Sequence, residues 1–138
     1  MEYPDVLIDT SILIEHLRKQ RRDKSILYHI ASDFTLYAPT IVEFELFAGA
    51  IDLQKRRDVE SILSWCILLP LVSEVAQQAA TIYRNLKAKN QLIEIRDILI
   101  AATALTYDLP LMTLNREHFN RIERLRVHEL PERSDAES

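Results

Sequence analysis

The segment MEYPDVLIDTSILIEHL, residues 1–17, places an acidic residue where a buried strand is followed at once by a helix. Its apolar run at residues 6–8 predicts a short buried strand. Asp9 ends that run, and Thr10 and Ser11 after it are typical N-cap residues of a helix. Asp9 is therefore predicted to lie at the carboxyl end of a strand, the edge of an α/β sheet where ligands bind. An ionised carboxylate there needs a cation as partner, either from the chain or a metal ion from solution.

The rest of the chain predicts one α/β domain. Further short apolar strands are predicted at residues 35–38, 67–69 and 111–113, with a fifth near Val127. Helices are predicted at residues 25–32, 41–50, 52–64, 73–87 and 93–107, the fourth of them with a capping box at Ser73. This alternation predicts a three-layer α/β/α fold with a short central, mostly parallel sheet. We expect the domain to span residues 1–130 and the polar tail at residues 131–138 to be disordered.

Composition narrows the class of protein. The chain has 138 residues, of which 48% are hydrophobic and 28% charged, as in an ordinary globular domain. Its one cysteine excludes an internal disulfide and a cysteine-based metal site, and its one glycine argues against a glycine-rich phosphate loop. The N-terminus lacks the layout of a signal peptide, and no apolar run reaches the about 18 residues of a membrane span. We therefore expect a cytoplasmic protein with no membrane association.

Two further acidic residues are predicted to face inward from helices. At about 100° per residue, Glu45 shares one helix face with Ile41, Phe44 and Ala48. By the same rotation, Asp97 shares a face with Ile93, Ile100, Ala101 and Ala104. Asp97 also lies in the first turns of its helix, where the helix dipole favours a negative charge.

Taken singly, each acid has a purely structural interpretation: a helix cap for Asp9, an ion pair with an arginine for Glu45, and a first-turn acid for Asp97. Three inward acids together repel one another unless a cation lies among them. Their all-oxygen environment favours a hard divalent cation such as Mg²⁺ or Mn²⁺. Zinc is not indicated, because the four histidines show no paired spacing.

Four motifs in a fixed order resemble the PIN-domain family, and within it the VapC-type toxins of toxin–antitoxin pairs. They are DTS at 9–11, ELFAG at 45–49, RDILIAATAL at 96–105 and MTLNREHF at 112–119. The resemblance extends from residue 5 to about residue 127. It implies a compact α/β/α fold and a Mg²⁺- or Mn²⁺-dependent ribonuclease that hydrolyses RNA phosphodiester bonds. It also implies a homodimer that is blocked by a cognate antitoxin, whose C-terminal segment enters the active-site groove.

The resemblance also assigns site residues. The family's first three acids match Asp9, Glu45 and Asp97, which are expected to be catalytic and to hold the metal. The fourth acidic position is Asn115, which is neutral and leaves a second metal site short of charge. Asn115 is expected to orient the scissile phosphate or a metal-bound water. The residues expected to contact substrate are Thr10, Ser11, Thr113 and Arg116.

One feature argues against this function, and three other protein classes compete with it. The net charge of −4 does not indicate a nucleic-acid-binding protein, since RNA affinity comes mainly from lysine and arginine.

A non-catalytic or weakly active PIN-like protein-binding module is supported by the neutral Asn115. Carboxylate-dependent Mn²⁺ affinity would distinguish an enzyme from that module. A haloacid-dehalogenase phosphatase requires D-x-D, and Ser11 takes the place of its second acid. A receiver domain requires an acidic pair near the first strand and a late lysine, neither of which is evident.

Overall fold

The computed structural model describes residues 2–132 of the chain. The strands are β1 (Asp5–Ile8), β2 (Thr35–Pro39), β3 (Ile67–Leu69) and β4 (Leu111–Met112). The helices are α1 (Thr10–Arg18), α2 (Ile26–Ile30), α3 (Thr40–Ala48), α4 (Leu53–Leu63), α5 (Ser73–Ala88), α6 (Ile95–Thr106) and α7 (Arg116–Phe119), and a 3₁₀ turn covers Arg22–Lys24. Three helices have a side-chain N-cap: Asp9 caps α1, Ser25 caps α2 and Asp52 caps α4. The side chain of each accepts a hydrogen bond from a backbone N–H in the first turn of its helix.

The four strands form one parallel sheet in the order β3-β2-β1-β4. β1 is a central strand, with Val6 opposite Leu36 on one side and Leu7 opposite Leu111 on the other. Val6, Leu7 and Ile8 are fully buried although neighbouring side chains point to opposite faces of the sheet. Both faces are therefore covered by helices, which confirms the predicted three-layer α/β/α architecture.

Three local predictions differ from the structure. Val127 forms only an isolated bridge with Leu111 rather than a fifth strand. The capping box at Ser73 is wrong: Val72 is the N-cap, and the Ser73 hydroxyl accepts a hydrogen bond from Gln77 instead. The apolar face predicted for α3 is also wrong, since Phe44 is 66% exposed. The buried positions of α3 are Val42 and Leu46.

Two further predictions concern the end of the chain and the membrane. The tail that was predicted to be disordered lies outside the described residues, apart from Pro131 and Glu132. Across residues 2–132, no helix has the length and apolar character that crossing a membrane requires.

Candidate active site

The centre of the candidate site is the carboxylate of Asp9, at the edge where β1 and β4 end side by side. Asp9 Oδ1 accepts hydrogen bonds from the Ser11 hydroxyl at 2.6 Å and from the Ser11 backbone N–H at 3.1 Å. Asp9 Oδ2 accepts the Thr113 hydroxyl at 2.6 Å. Both oxygens of the carboxylate are thereby fixed, one by the start of α1 and the other by the residue that follows β4.

The same two hydroxyls hold the segment after β4. The backbone N–H of Leu114 donates to Ser11 Oγ at 3.0 Å, and that of Asn115 donates to Thr113 Oγ1 at 3.0 Å. Thr113 is fully buried and does not line the cavity beside Asp9. The structure therefore places Thr113, which the sequence predicted to contact substrate, against Asp9 and away from the cavity wall.

The three predicted acids line one cavity of about 590 Å³. Asp9 reaches it from the end of β1, Glu45 from α3 and Asp97 from the first turn of α6. The predicted residues Thr10, Ser11 and Asn115 line the same cavity. Residues that are far apart in the sequence are thus brought together as the motif order suggested.

Burial makes the charge of Asp9 costly. The side chain is 2% exposed, and this burial raises the pKa of Asp9 above its ordinary value. The hydrogen bonds from Ser11 and Thr113 act against that rise, while the nearby charge of Asp97 adds to it. A cation placed between the two carboxylates would offset both the burial of Asp9 and its repulsion from Asp97, because it favours the charged form of each carboxylate.

Asp97 is in a similar position. It is 7% exposed, and burial raises the pKa of its carboxyl, although Arg96 and His118 both favour the charged form. His118 Nδ1, from α7, lies 3.5 Å from Asp97 Oδ2. Sequence reasoning missed His118, because α7 has only four residues and shows no periodic pattern.

Glu45 is fixed by two donors. The Thr10 hydroxyl donates to Glu45 Oε1 at 2.7 Å, and Arg96 Nη1 donates to Glu45 Oε2 at 2.8 Å. Arg96 Nε also lies 3.2 Å from Glu94. Glu45 therefore lines the cavity and also forms the ion pair with an arginine that its structural interpretation predicted.

The donor set fits a hard, hydrated divalent cation. Asp9, Glu45 and Asp97 supply carboxylate oxygens to the cavity, and Asn115 lines it with them. Within residues 2–132, no three histidine, cysteine or acidic side chains form a ready-made coordination cluster. Mg²⁺ needs no such cluster, since it keeps several waters and takes one or two carboxylates directly. The buried, mutually repelling pair Asp9 and Asp97 is the feature that fits such an ion.

Basic residues at the cavity differ from those expected. Arg116 donates to the backbone carbonyl of His128 at 3.1 Å and does not line the cavity. The cavity is lined instead by Arg18, Lys19 and Arg96. Helical spacing was the available signal for Arg18, because it lies seven residues after Ser11 and therefore on the same face of α1.

Comparisons with known proteins, by family model, by sequence and by structure, all find similarity to PIN-domain or VapC proteins. A family model described as the PIN domain matches residues 6–125. Ribonuclease VapC of Rickettsia bellii is 35% identical over 91% of this chain and 96% of its own length. Ribonuclease VapC10 of Mycobacterium tuberculosis is 32% identical over 88% of this chain and 90% of its own length. A similar fold occurs in the structure of VapBC2 from Rickettsia felis bound to a promoter DNA fragment, with a TM-score of 0.80, 23% identity, and coverage of 91% of this chain and 98% of that chain.

Proposed function

Because the chain belongs to the PIN-domain family, we propose that it is a divalent-metal-dependent ribonuclease that hydrolyses RNA phosphodiester bonds. The observation that carries this proposal is the convergence of Asp9, Glu45 and Asp97 in one cavity. The similar proteins of Rickettsia bellii and Mycobacterium tuberculosis are named ribonucleases and match nearly the whole chain, which supports the same activity here.

Asp9, Glu45 and Asp97 would hold the ion, which we propose to be Mg²⁺ or Mn²⁺. When bound, such an ion lowers the pKa of a water nucleophile and stabilises charge on the reacting phosphate. Ser11 and Thr113 keep the Asp9 carboxylate in a fixed orientation, and Thr10 does the same for Glu45. Asn115 contributes an uncharged amide at the cavity wall, where it can orient the scissile phosphate by hydrogen bonding.

Arg18 and Lys19 place positive charge at the cavity of a chain whose net charge is −4, and this charge is suited to contact with the RNA backbone. Arg18 is exposed, and its side chain makes no hydrogen bond or ion pair with another residue in the range 2–132. The ammonium of Lys19 lies 3.7 Å from the Glu15 carboxylate, a loose ion pair. These two residues take the role that the sequence assigned to Arg116.

We further propose that the protein is a toxin whose partner is a cognate antitoxin. A groove of about 420 Å³ adjoins the acidic cavity and shares Ile14, Arg18 and Glu45 with it. Its lining combines the apolar Leu17, Leu46 and Val59 with the basic Arg22 and Lys55 and the acidic Asp58, which pairs with Arg22 at 3.2 Å. A protein segment with apolar and acidic side chains fits this surface.

The homodimer implied by the resemblance is also part of the proposal. Three large apolar side chains near the α3–α4 connection, Phe44, Ile51 and Leu53, are strongly exposed. A surface of this kind is suited to contact with a second protein chain.

The experiment is cleavage of a mixed cellular RNA pool with added Mg²⁺ or Mn²⁺ and a chelator control. Wild type is compared with Asp97→Asn and with the matched control Asp108→Asn, an exposed position outside the cavity. We expect metal-dependent cutting by wild type and Asp108→Asn, and a loss of about a hundredfold or more in Asp97→Asn. Equal cutting by all three proteins contradicts the site. Absence of both cutting and Mn²⁺ binding supports the non-catalytic binding module instead.

A further inference from the structure

Arg96 is a cation placed among the acids of the cavity. Its guanidinium lies 2.8 Å from Glu45 and 3.2 Å from Glu94, and it lines the cavity beside Asp97. It occupies the first turn of α6, where the helix dipole disfavours a positive charge. The two carboxylates compensate for that unfavourable position.

Glu45 is fully engaged in this arrangement. One of its oxygens accepts the Thr10 hydroxyl at 2.7 Å, and the other accepts Arg96. The charge of Glu45 is therefore already balanced by a group of the chain itself, and a divalent cation has to compete with Arg96 for it.

The two partners differ in how easily they can move. The Glu45 side chain is 12% exposed, whereas that of Arg96 is 54% exposed. Ion pairs with an exposed partner are weak, because water solvates the released charge well. Arg96 can therefore leave Glu45 for solvent or for an anion, while Glu45 stays at the cavity wall.

We propose that Arg96 is a built-in counter-ion, which balances Glu45 in the metal-free protein and moves to an RNA phosphate once a divalent cation takes its place. The guanidinium plane binds phosphate oxygens in pairs, so the released group is suited to the anionic substrate. This inference rests on the proposed ribonuclease function. It assigns Arg96 a counter-ion role and a phosphate-binding role, in addition to the metal-holding role of the three acids.

The test measures Mn²⁺ affinity by calorimetry, without RNA, for wild type, Arg96→Gln, Glu45→Gln and the double variant. Arg18→Gln is the matched control, because it removes the same charge from the same cavity without touching Glu45. We expect Arg96→Gln to bind Mn²⁺ about threefold to fivefold more tightly, and Arg18→Gln to change affinity less. In the Glu45→Gln background, the Arg96 substitution is expected to have a clearly smaller effect, because only the influence of Arg96 on Asp97 then remains.

RNA cleavage gives the second readout. Arg96→Gln is expected to raise KM for RNA more than it lowers kcat, and Arg96→Lys to restore part of the loss. An unchanged KM overturns the transfer to phosphate. The counter-ion role is overturned if Arg96→Gln binds Mn²⁺ as tightly as wild type or less tightly. It is also overturned if the Arg96 substitution increases Mn²⁺ affinity equally in the Glu45→Gln background, or if none of the proteins binds Mn²⁺. If Mn²⁺ affinities follow the expected pattern but no RNA is cut, the ribonuclease proposal fails and the counter-ion role stands.

Discussion

At the scale of single residues, the site depends on how a buried carboxylate is satisfied. Asp9 accepts a hydroxyl on each oxygen, one from Ser11 two residues later and the other from Thr113 at a separation of 104 residues. The position of Asp9 was predictable, because an apolar run ends there and N-cap residues follow. The contact with Thr113 was not predictable, since it exists only because β4 pairs with β1.

Removing the Thr113 hydroxyl should therefore destabilise the fold. Thr113→Val keeps the shape but leaves Asp9 Oδ2 and the Asn115 N–H without their partner. We expect the free energy of unfolding, measured with urea, to fall by about 1–3 kcal/mol. In an Asp9→Asn background the same substitution should cost less, because the lost hydrogen bond no longer involves a charge. Equal costs in both backgrounds would show that Thr113 does not act through Asp9.

At the scale of elements, strands and helices were predictable where burial imposes one clear pattern. The strand β1 was predicted at residues 6–8 and spans Asp5–Ile8, because its fully buried apolar run fits a covered strand. The orientation of α3 was not predictable, since its sequence TIVEFELFA has apolar residues on all sides and so gives little rotational preference. Glu45 faces the cavity because Val42 and Leu46 are buried, and not because of an apolar stripe around it.

The contact between α1 and α2 gives a prediction about pH. His16 on α1 lies 2.6 Å from the Ser25 hydroxyl at the start of α2, and its burial lowers the pKa of the imidazole below the ordinary 6.5. Below pH 6.5 the unfolded chain therefore binds a proton that the folded protein does not, so stability falls as the pH falls through 6.5 toward the lowered pKa.

This loss should be measurable by urea unfolding between pH 7 and pH 5. His16→Asn retains a polar group near Ser25 and removes the titration, so its stability should decline less steeply than that of wild type, by at most about 1.4 kcal/mol per pH unit. His128→Asn, at an exposed position, serves as the control. If the free energy of unfolding of His16→Asn falls with pH as steeply as that of wild type, His16 is not the source of the acid sensitivity.

At the scale of the whole molecule, the sheet order is what assembles the site. The parallel arrangement brings the ends of β1 and β4 together, and α3 and α6 add Glu45 and Asp97 to the same cavity. The motif order made this convergence predictable through a family resemblance. The basic residues of the cavity were not predictable in the same way, because charge runs in a sequence do not show which side chains point toward a cleft.

The most direct test of the account is Mn²⁺ binding by calorimetry to the purified, metal-free protein. Wild type should show saturable binding, and Asp9→Asn and Asp97→Asn should each lose most of it, since each removes one carboxylate of the buried pair. Asp108→Asn, which makes the same chemical change outside the cavity, should bind like wild type. Equal Mn²⁺ affinity in all four proteins would contradict the central claim that these carboxylates form a divalent-cation site.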